Sequence, residues 1–177
     1  PATENVAYTY TVTAADVDTG DTVTLAATTI PSWLTFTAST GVLAGTPAAS
    51  DTGGNSVAIT ATDSASATAT QSFTITVTAA PTMVITAAEV SDGGTSNDAT
   101  LSLTFTSSEA TANFVVGDIT VTGGTLSSFA ATSSTVYTAT FTPAADGATT
   151  ILVAAATFTD AAGNDNSVSN TYTWTQD

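Results

Sequence analysis

The sequence predicts an all-β chain folded as two tandem antiparallel β-sandwiches, one over residues 1–80 and one over residues 81–177. Three observations carry that expectation. Short runs rich in Val, Ile, Phe, Tyr and Thr alternate with period two, which places one residue in two on a buried face. Gly, Asp, Asn, Ser and Pro interrupt these runs, and no segment sustains a helical period. The pattern then restarts after Thr78-Ala79-Ala80-Pro81, dividing the 177 residues into parts of about 80 and 97, each the size of one sandwich of about seven strands. A hydrophobic fraction of 42 %, with two Trp, seven Phe and four Tyr, is enough for two modest cores.

Taken in order, the first run sets Val6, Tyr8, Tyr10 and Val12 on one face and Ala7, Thr9, Thr11 and Thr13 on the other. Val23 and Leu25 follow, then Val57, Ile59 and Ala61, and then Phe73, Ile75 and Val77. The second half opens with Met83 and Ile85, continues with Leu101, Leu103 and Phe105, and reaches Ile119 and Val121. Tyr137, Ala139 and Phe141, then Ile151 and Val153, then Tyr172 and Trp174 complete it. Thr on the outward positions suits a strand, being β-branched and soluble without charge. The short Ala-Ala-Pro linker implies little slack, and hence a rod. Trp33 and Trp174 read as core residues rather than sugar-stacking platforms.

Charge narrows the functions. There is no Lys, Arg or His against fifteen Asp plus Glu, a formal charge of −15. Phosphate backbones and anionic lipid surfaces are held by Lys and Arg, so neither nucleic acid nor an acidic membrane is an expected partner. No apolar run approaches the roughly 20 residues that span a bilayer, so no membrane insertion is expected. With no signal-like leader or starting Met, the chain reads as a mature product or a piece of a longer one. Without Cys there is neither disulfide nor thiolate site.

Without His, Cys or Lys, serine triads, thiol catalysis, zinc hydrolysis and Schiff-base chemistry lose their usual members. Carboxylate chemistry alone remains, and the acids fall in short polar loops with no long insertion to build a cleft. A non-enzyme is expected. Fifteen carboxylates without an internal cation repel one another, so they spread over the surface or are neutralised by bound metal, and hard oxygen ligands suit calcium. An acidic, Lys-free, Thr-rich chain offers trypsin-like proteases no cleavage site, which suits exposure outside a cell.

Family-like stretches give these acids places. Residues 1–79 carry Ala2-Thr3-Glu4-Asn5, Ala15-Asp16-Val17-Asp18-Thr19-Gly20-Asp21, Ile30-Pro31-Ser32-Trp33-Leu34-Thr35-Phe36, Ser39-Thr40-Gly41-Val42-Leu43-Ala44-Gly45-Thr46-Pro47, Asp51-Thr52-Gly53 and Ala61-Thr62-Asp63. In this order and spacing they resemble dystroglycan-type cadherin-like domains and the related Ig-like repeats of bacterial surface proteins. Residues 81–177 resemble a bacterial Ig-like repeat of large adhesins. They do so through Ser107-Ser108-Glu109, Phe114-Val115-Val116-Gly117-Asp118-Ile119-Thr120-Val121-Thr122-Gly123-Gly124-Thr125-Leu126, Tyr137-Thr138-Ala139-Thr140-Phe141-Thr142-Pro143 and Phe158-Thr159-Asp160-Ala161-Ala162-Gly163-Asn164.

Strand counting groups the acids, because alternate loops of an antiparallel sandwich lie at opposite ends. Asp16 and Asp18 after the second strand and Asp63 after the sixth should share one end, and Glu4 and Asp51 the other. The resemblance to cadherins implies that Asp16, Asp18 and Asp63 share calcium at the first end, and that Glu4 and Asp51 serve a second site. Counting in the second half puts Glu109 and Asp160 at the end facing Glu4 and Asp51, which makes these four a candidate junction site for calcium. The linker departs from cadherins in lacking their Asp-Asn-containing stretch. Other readings stand beside these: Asp21 shapes a turn, Asp160 to Asn164 is a tight turn, and Asp118 closes a hairpin.

The function implied is that of a calcium-stabilised structural or adhesive repeat of an extracellular surface protein, whose partners are neighbouring repeats or identical chains. A subunit of a self-assembling fibre or surface layer is the alternative, prompted by a first strand that is nearly absent before Glu4 and would leave an edge open to strand exchange. A glycan- or ice-recognition module is a third, prompted by Thr-x-Thr arrays such as Thr74-Ile75-Thr76-Val77-Thr78.

Overall fold

The computed structural model describes residues 1–17 and 21–177 of the chain. These fall into two compact units, Pro1–Ala79 and Ala80–Asp177. In each, apolar alternation leaves a sheet with one face that must be covered, and a second sheet covers it.

In the first unit, strands β1 (Ala2–Thr3), β7 (Thr68–Thr78), β6 (Gly53–Thr62) and β3 (Thr24–Thr29) form one sheet in that order. Strands β2 (Tyr8–Thr11), β5 (Val42–Gly45) and β4 (Leu34–Thr37) form the other. All pairings are antiparallel except β1 with β7, where Ala2 lies beside Val77 and Thr3 beside Thr78. The core draws on both sheets: Ala2, Val57, Ile59, Ile75 and Val77 from one, Leu34 and Leu43 from the other, and Val12 just after β2. The first strand is thus present but only two residues long.

The first alternating run folds only in part as its pattern predicts. Val12 is buried, whereas Val6 lies outside β2 and is 50 % exposed, and Tyr10 is 40 % exposed. Tyr10 instead rests edge-on against Phe73, with ring centroids 5.5 Å apart. Trp33 is half-buried against the core, its ring edge-on to Tyr8 at 5.8 Å and its Nε1 donating to Asn55 Oδ1 at 3.0 Å.

In the second unit, β12 (Gly124–Ala131), β13 (Val136–Pro143), β10 (Leu101–Ser107) and β8 (Met83–Ala87) make one sheet. The facing sheet contains β11 (Ile119–Thr122), β14 (Gly147–Val153), β15 (Tyr172–Gln176) and β9 (Gly94–Ser96). Here β15 and β9 run parallel, and the other pairings are antiparallel. Leu103, Phe105, Ala139 and Phe141 of the first sheet meet Ile151, Val153, Tyr172 and Trp174 of the second. Trp174 is 1 % exposed, edge-on to Phe141, and its Nε1 donates to Ser96 Oγ at 3.0 Å. Phe114, at the centre of a ring of aromatic contacts with Phe105, Phe129, Tyr137 and Phe158, lies on the segment between β10 and β11.

Candidate functional site

Loops at one end of the first unit bring three carboxylates together. Asp16 lies on the loop after β2, Asp21 on the same loop before β3, and Asp63 directly after β6. One oxygen from each lies within 4.8 Å of the others. Among the described residues this is the one group of three or more potential metal ligands. Asp18, predicted to join Asp16 and Asp63, lies outside the described residues.

The hairpin between β6 and β7 positions Asp63. Its Oδ1 accepts the Ala67 N–H at 2.7 Å, its own N–H donates to the Ala67 carbonyl, and Ser66 adopts a φ of 69° to close the turn. Asp21 is tied to the same hairpin by a hydrogen bond from the Ser64 hydroxyl to its Oδ1. A carboxylate carries about four lone-pair sites, so one such bond leaves an oxygen available to an ion. Beside the acids lies an open depression with Ala14, Val23, Ala61 and Ala69 in its wall.

Calcium bonds oxygen at about 2.3–2.6 Å, so two of its ligands stand at most roughly 4.6–5.2 Å apart. Three oxygens within 4.8 Å of one another therefore fit one calcium coordination sphere. No Lys, Arg or His side chain exists in the chain to neutralise them. The donor set fits a hard dication, with waters or loop carbonyls completing a shell of 6–8 oxygens.

Asp21 was the residue that sequence reasoning assigned to a turn rather than to the cluster. Its presence on the same loop as Asp16 was the one sequence feature it shared with the cluster.

Three other acids, Asp51, Asp118 and Asp160, bond within their own loops. Asp51 closes a single 3₁₀ turn (Ala49–Asp51), its Oδ2 accepting the Ala48 N–H at 2.8 Å. Asp118 does the same in a second such turn (Val116–Asp118), accepting the Val115 N–H at 2.8 Å; this turn leads into β11 and is not the hairpin expected, since β10 and β11 belong to different sheets. Glu4 is buried, and its N–H donates to the Thr78 carbonyl at 3.0 Å. Glu109 is exposed just beyond β10, two residues before Thr111, which bridges to Asp160.

Asp160 is 5 % exposed and organises its loop: Oδ1 accepts the N–H groups of Ala162 and Asn164, both at 2.8 Å, and Oδ2 accepts Asn164 Nδ2 at 2.7 Å. Burial raises the Asp160 carboxyl, but the hydrogen bonds from Asn164, Ala162 and Gly163 outweigh it and hold the group below its ordinary value. Asp92 is held low too, chiefly by the Thr173 N–H at 2.8 Å, with the Thr173 hydroxyl at 3.0 Å.

Comparison with solved structures gives several full-length overlaps of low identity. An endo-fucoidan hydrolase of glycoside hydrolase family 107 matches at 20 % identity over 98 % of this chain and 26 % of its own, with a TM-score of 0.40. Extracellular cadherin domains 3–6 of protocadherin gamma B2 match at 13 % identity over 98 % of this chain and 43 % of theirs, with a TM-score of 0.41. The SGBP-B protein of the Bacteroides ovatus mixed-linkage glucan utilization locus, solved with a mixed-linkage heptasaccharide, matches at 15 % identity. That match covers 99 % of this chain and 43 % of the other, with a TM-score of 0.31. The chain spans less than half the length of each. No curated protein matches it. The family comparison is more direct: residues 1–78 match the Putative Ig domain and residues 77–175 the bacterial Ig-like domain. The chain belongs to the bacterial Ig-like family, as these two domains in tandem.

Proposed function

We propose that this chain is a calcium-stabilised structural or adhesive repeat segment of an extracellular surface protein, in which a bound ion fixes loop geometry at one end of the first domain. The observation that carries the reading is the convergence of Asp16, Asp21 and Asp63, whose oxygens lie within 4.8 Å of one another with no cationic side chain in the chain to balance them. Like charges held so close repel, and a dication converts that repulsion into attraction. Asp16 and Asp21 lie on the loop between β2 and β3, and Asp63 begins the β6–β7 hairpin, so one ion would join the two loops that the Ser64–Asp21 hydrogen bond already links.

The rest of the molecule supports a mechanical rather than a catalytic role. Its two cores are sandwiches, Asp51, Asp118 and Asp160 brace turns, and the domain families are repeats of surface proteins. Isothermal titration tests the reading directly: calcium should bind the wild-type chain, and Asp63→Asn and Asp21→Asn should each weaken that binding. A flat calcium titration of the folded wild-type chain defeats it.

A further inference from the structure

Edge strands invite pairing with another chain, and most edges of this molecule are guarded against it by brevity or by a bulge. Strands β2, β4 and β11 have four residues each, β8 has five and β9 three. Strand β3 is irregular between Ala27 and Thr29, and β12 between Ser127 and Ala130.

Strand β7 is the exception among the described residues. It runs for 11 residues, pairs with β6 from Thr68 to Val77, and on its other side meets β1 only at Val77 and Thr78. The stretch from Thr68 to Thr76 is therefore an open edge, and Thr68–Thr78 contains no charge, no Pro and no Gly.

We propose that this open edge of β7 pairs antiparallel with the same edge of a second copy of the chain across a two-fold axis. The stretch is self-complementary. The register that uses all nine unpaired residues centres on Ser72, setting Thr68 opposite Thr76, Thr70 opposite Thr74 and Ser72 opposite its counterpart. These five positions are exposed, as are Ala69 and Gln71, and hydroxyl pairs are favourable directly across a ladder. On the other face the same register sets Ala69 opposite Ile75 and Gln71 opposite Phe73. Ala69 and Gln71 border an open depression whose lining includes Val12, Leu25 and Ile59, which leaves this part of the edge accessible.

Charge does not oppose the contact locally: two copies at −15 each repel as a whole, but no acid lies on the strand itself, a property β7 shares with the other strands, so the open length of its edge is what singles it out. The contact is isologous, so it closes as a dimer instead of propagating. The inference goes beyond the calcium reading and does not depend on it.

The test is sedimentation of the purified chain at low salt and at about 1 M salt, where screening acts over about 3 Å, together with cysteine crosslinking. The chain has no native Cys, so Ser72→Cys introduces a single thiol that would face its counterpart, and Thr35→Cys on the exposed face of β4 serves as the control. The expected result is a salt-promoted dimer with slowed amide exchange over Thr68–Thr76, and disulfide dimer forming several-fold faster from Ser72→Cys than from Thr35→Cys. Ser72→Glu, which sets like charges opposite each other, should return the chain to monomer, and Ser72→Thr should not. A monomer at high salt, or a dimer in which the two thiols crosslink equally and β7 exchange is unchanged, overturns the proposal.

Discussion

A single side chain can close a turn or converge with others, and this chain has acids in both arrangements. Asp160 spends both oxygens on its own loop, whereas Asp16, Asp21 and Asp63 converge. Substituting Asp21 by Asn removes one charged ligand and should lower calcium affinity by on the order of tenfold, since affinity follows ligand charge; titration calorimetry reads this. Asp160 predicts a pH effect instead. Its folded-state carboxyl is held below the unfolded value, so its stabilisation is present above the usual carboxylate range near about 4 and is lost as pH falls through the folded value. Asp160→Ala should therefore lower the melting temperature at neutral pH and flatten its decline on acidification, as thermal melts from neutral to acid pH would show. Asp16 and Asp63 were legible because strand counting puts their loops at one end. Asp21 was not, because an acid before a strand also suits a turn, and only the folded path of the loop separates the two.

Strands are legible where period two is unbroken and obscure where the backbone breaks it. Leu101, Leu103 and Phe105 lie on β10 as their alternation predicts, with each of them buried. Strand β12 escaped notice because its two inward apolar residues, Leu126 and Phe129, are three apart. Ser128 adopts a φ of 53° within the irregularity between Ser127 and Ala130, and the added residue returns Phe129 to the core face. Val6 failed in the opposite way: its phase matched β2, but the strand begins only at Tyr8. Tight packing at β5 has its own test. A Cβ on Gly45 would stand 2.0 Å from the Trp33 carbonyl oxygen, a backbone atom that cannot swing aside. Gly45→Ala should destabilise the first domain by about 1–3 kcal/mol or more, measured by denaturant unfolding. Leu43 on the same strand is 0 % exposed, and Leu43→Ala should cost about 2–5 kcal/mol in the same measurement.

The whole chain consists of two sandwiches with separate cores, with the second carrying a large aromatic cluster and the first a thinner set of aliphatic residues. A ligand that binds only the folded state stabilises it by mass action, in an amount set by its concentration and dissociation constant. Composition alone points to such a ligand: fifteen acids without one basic side chain need either dispersal or a cation. The direct measurement is the melting curve of the chain in calcium and in chelator, by calorimetry, for the wild type and for the combined Asp16→Asn, Asp21→Asn and Asp63→Asn variant. Calcium at about 100 times its dissociation constant adds about 2.7 kcal/mol, which for a domain of this size raises the melting temperature by roughly 10 °C or more. The wild-type first-domain transition should show that rise and the combined variant should not. Coincident wild-type curves in calcium and in chelator would contradict calcium stabilisation.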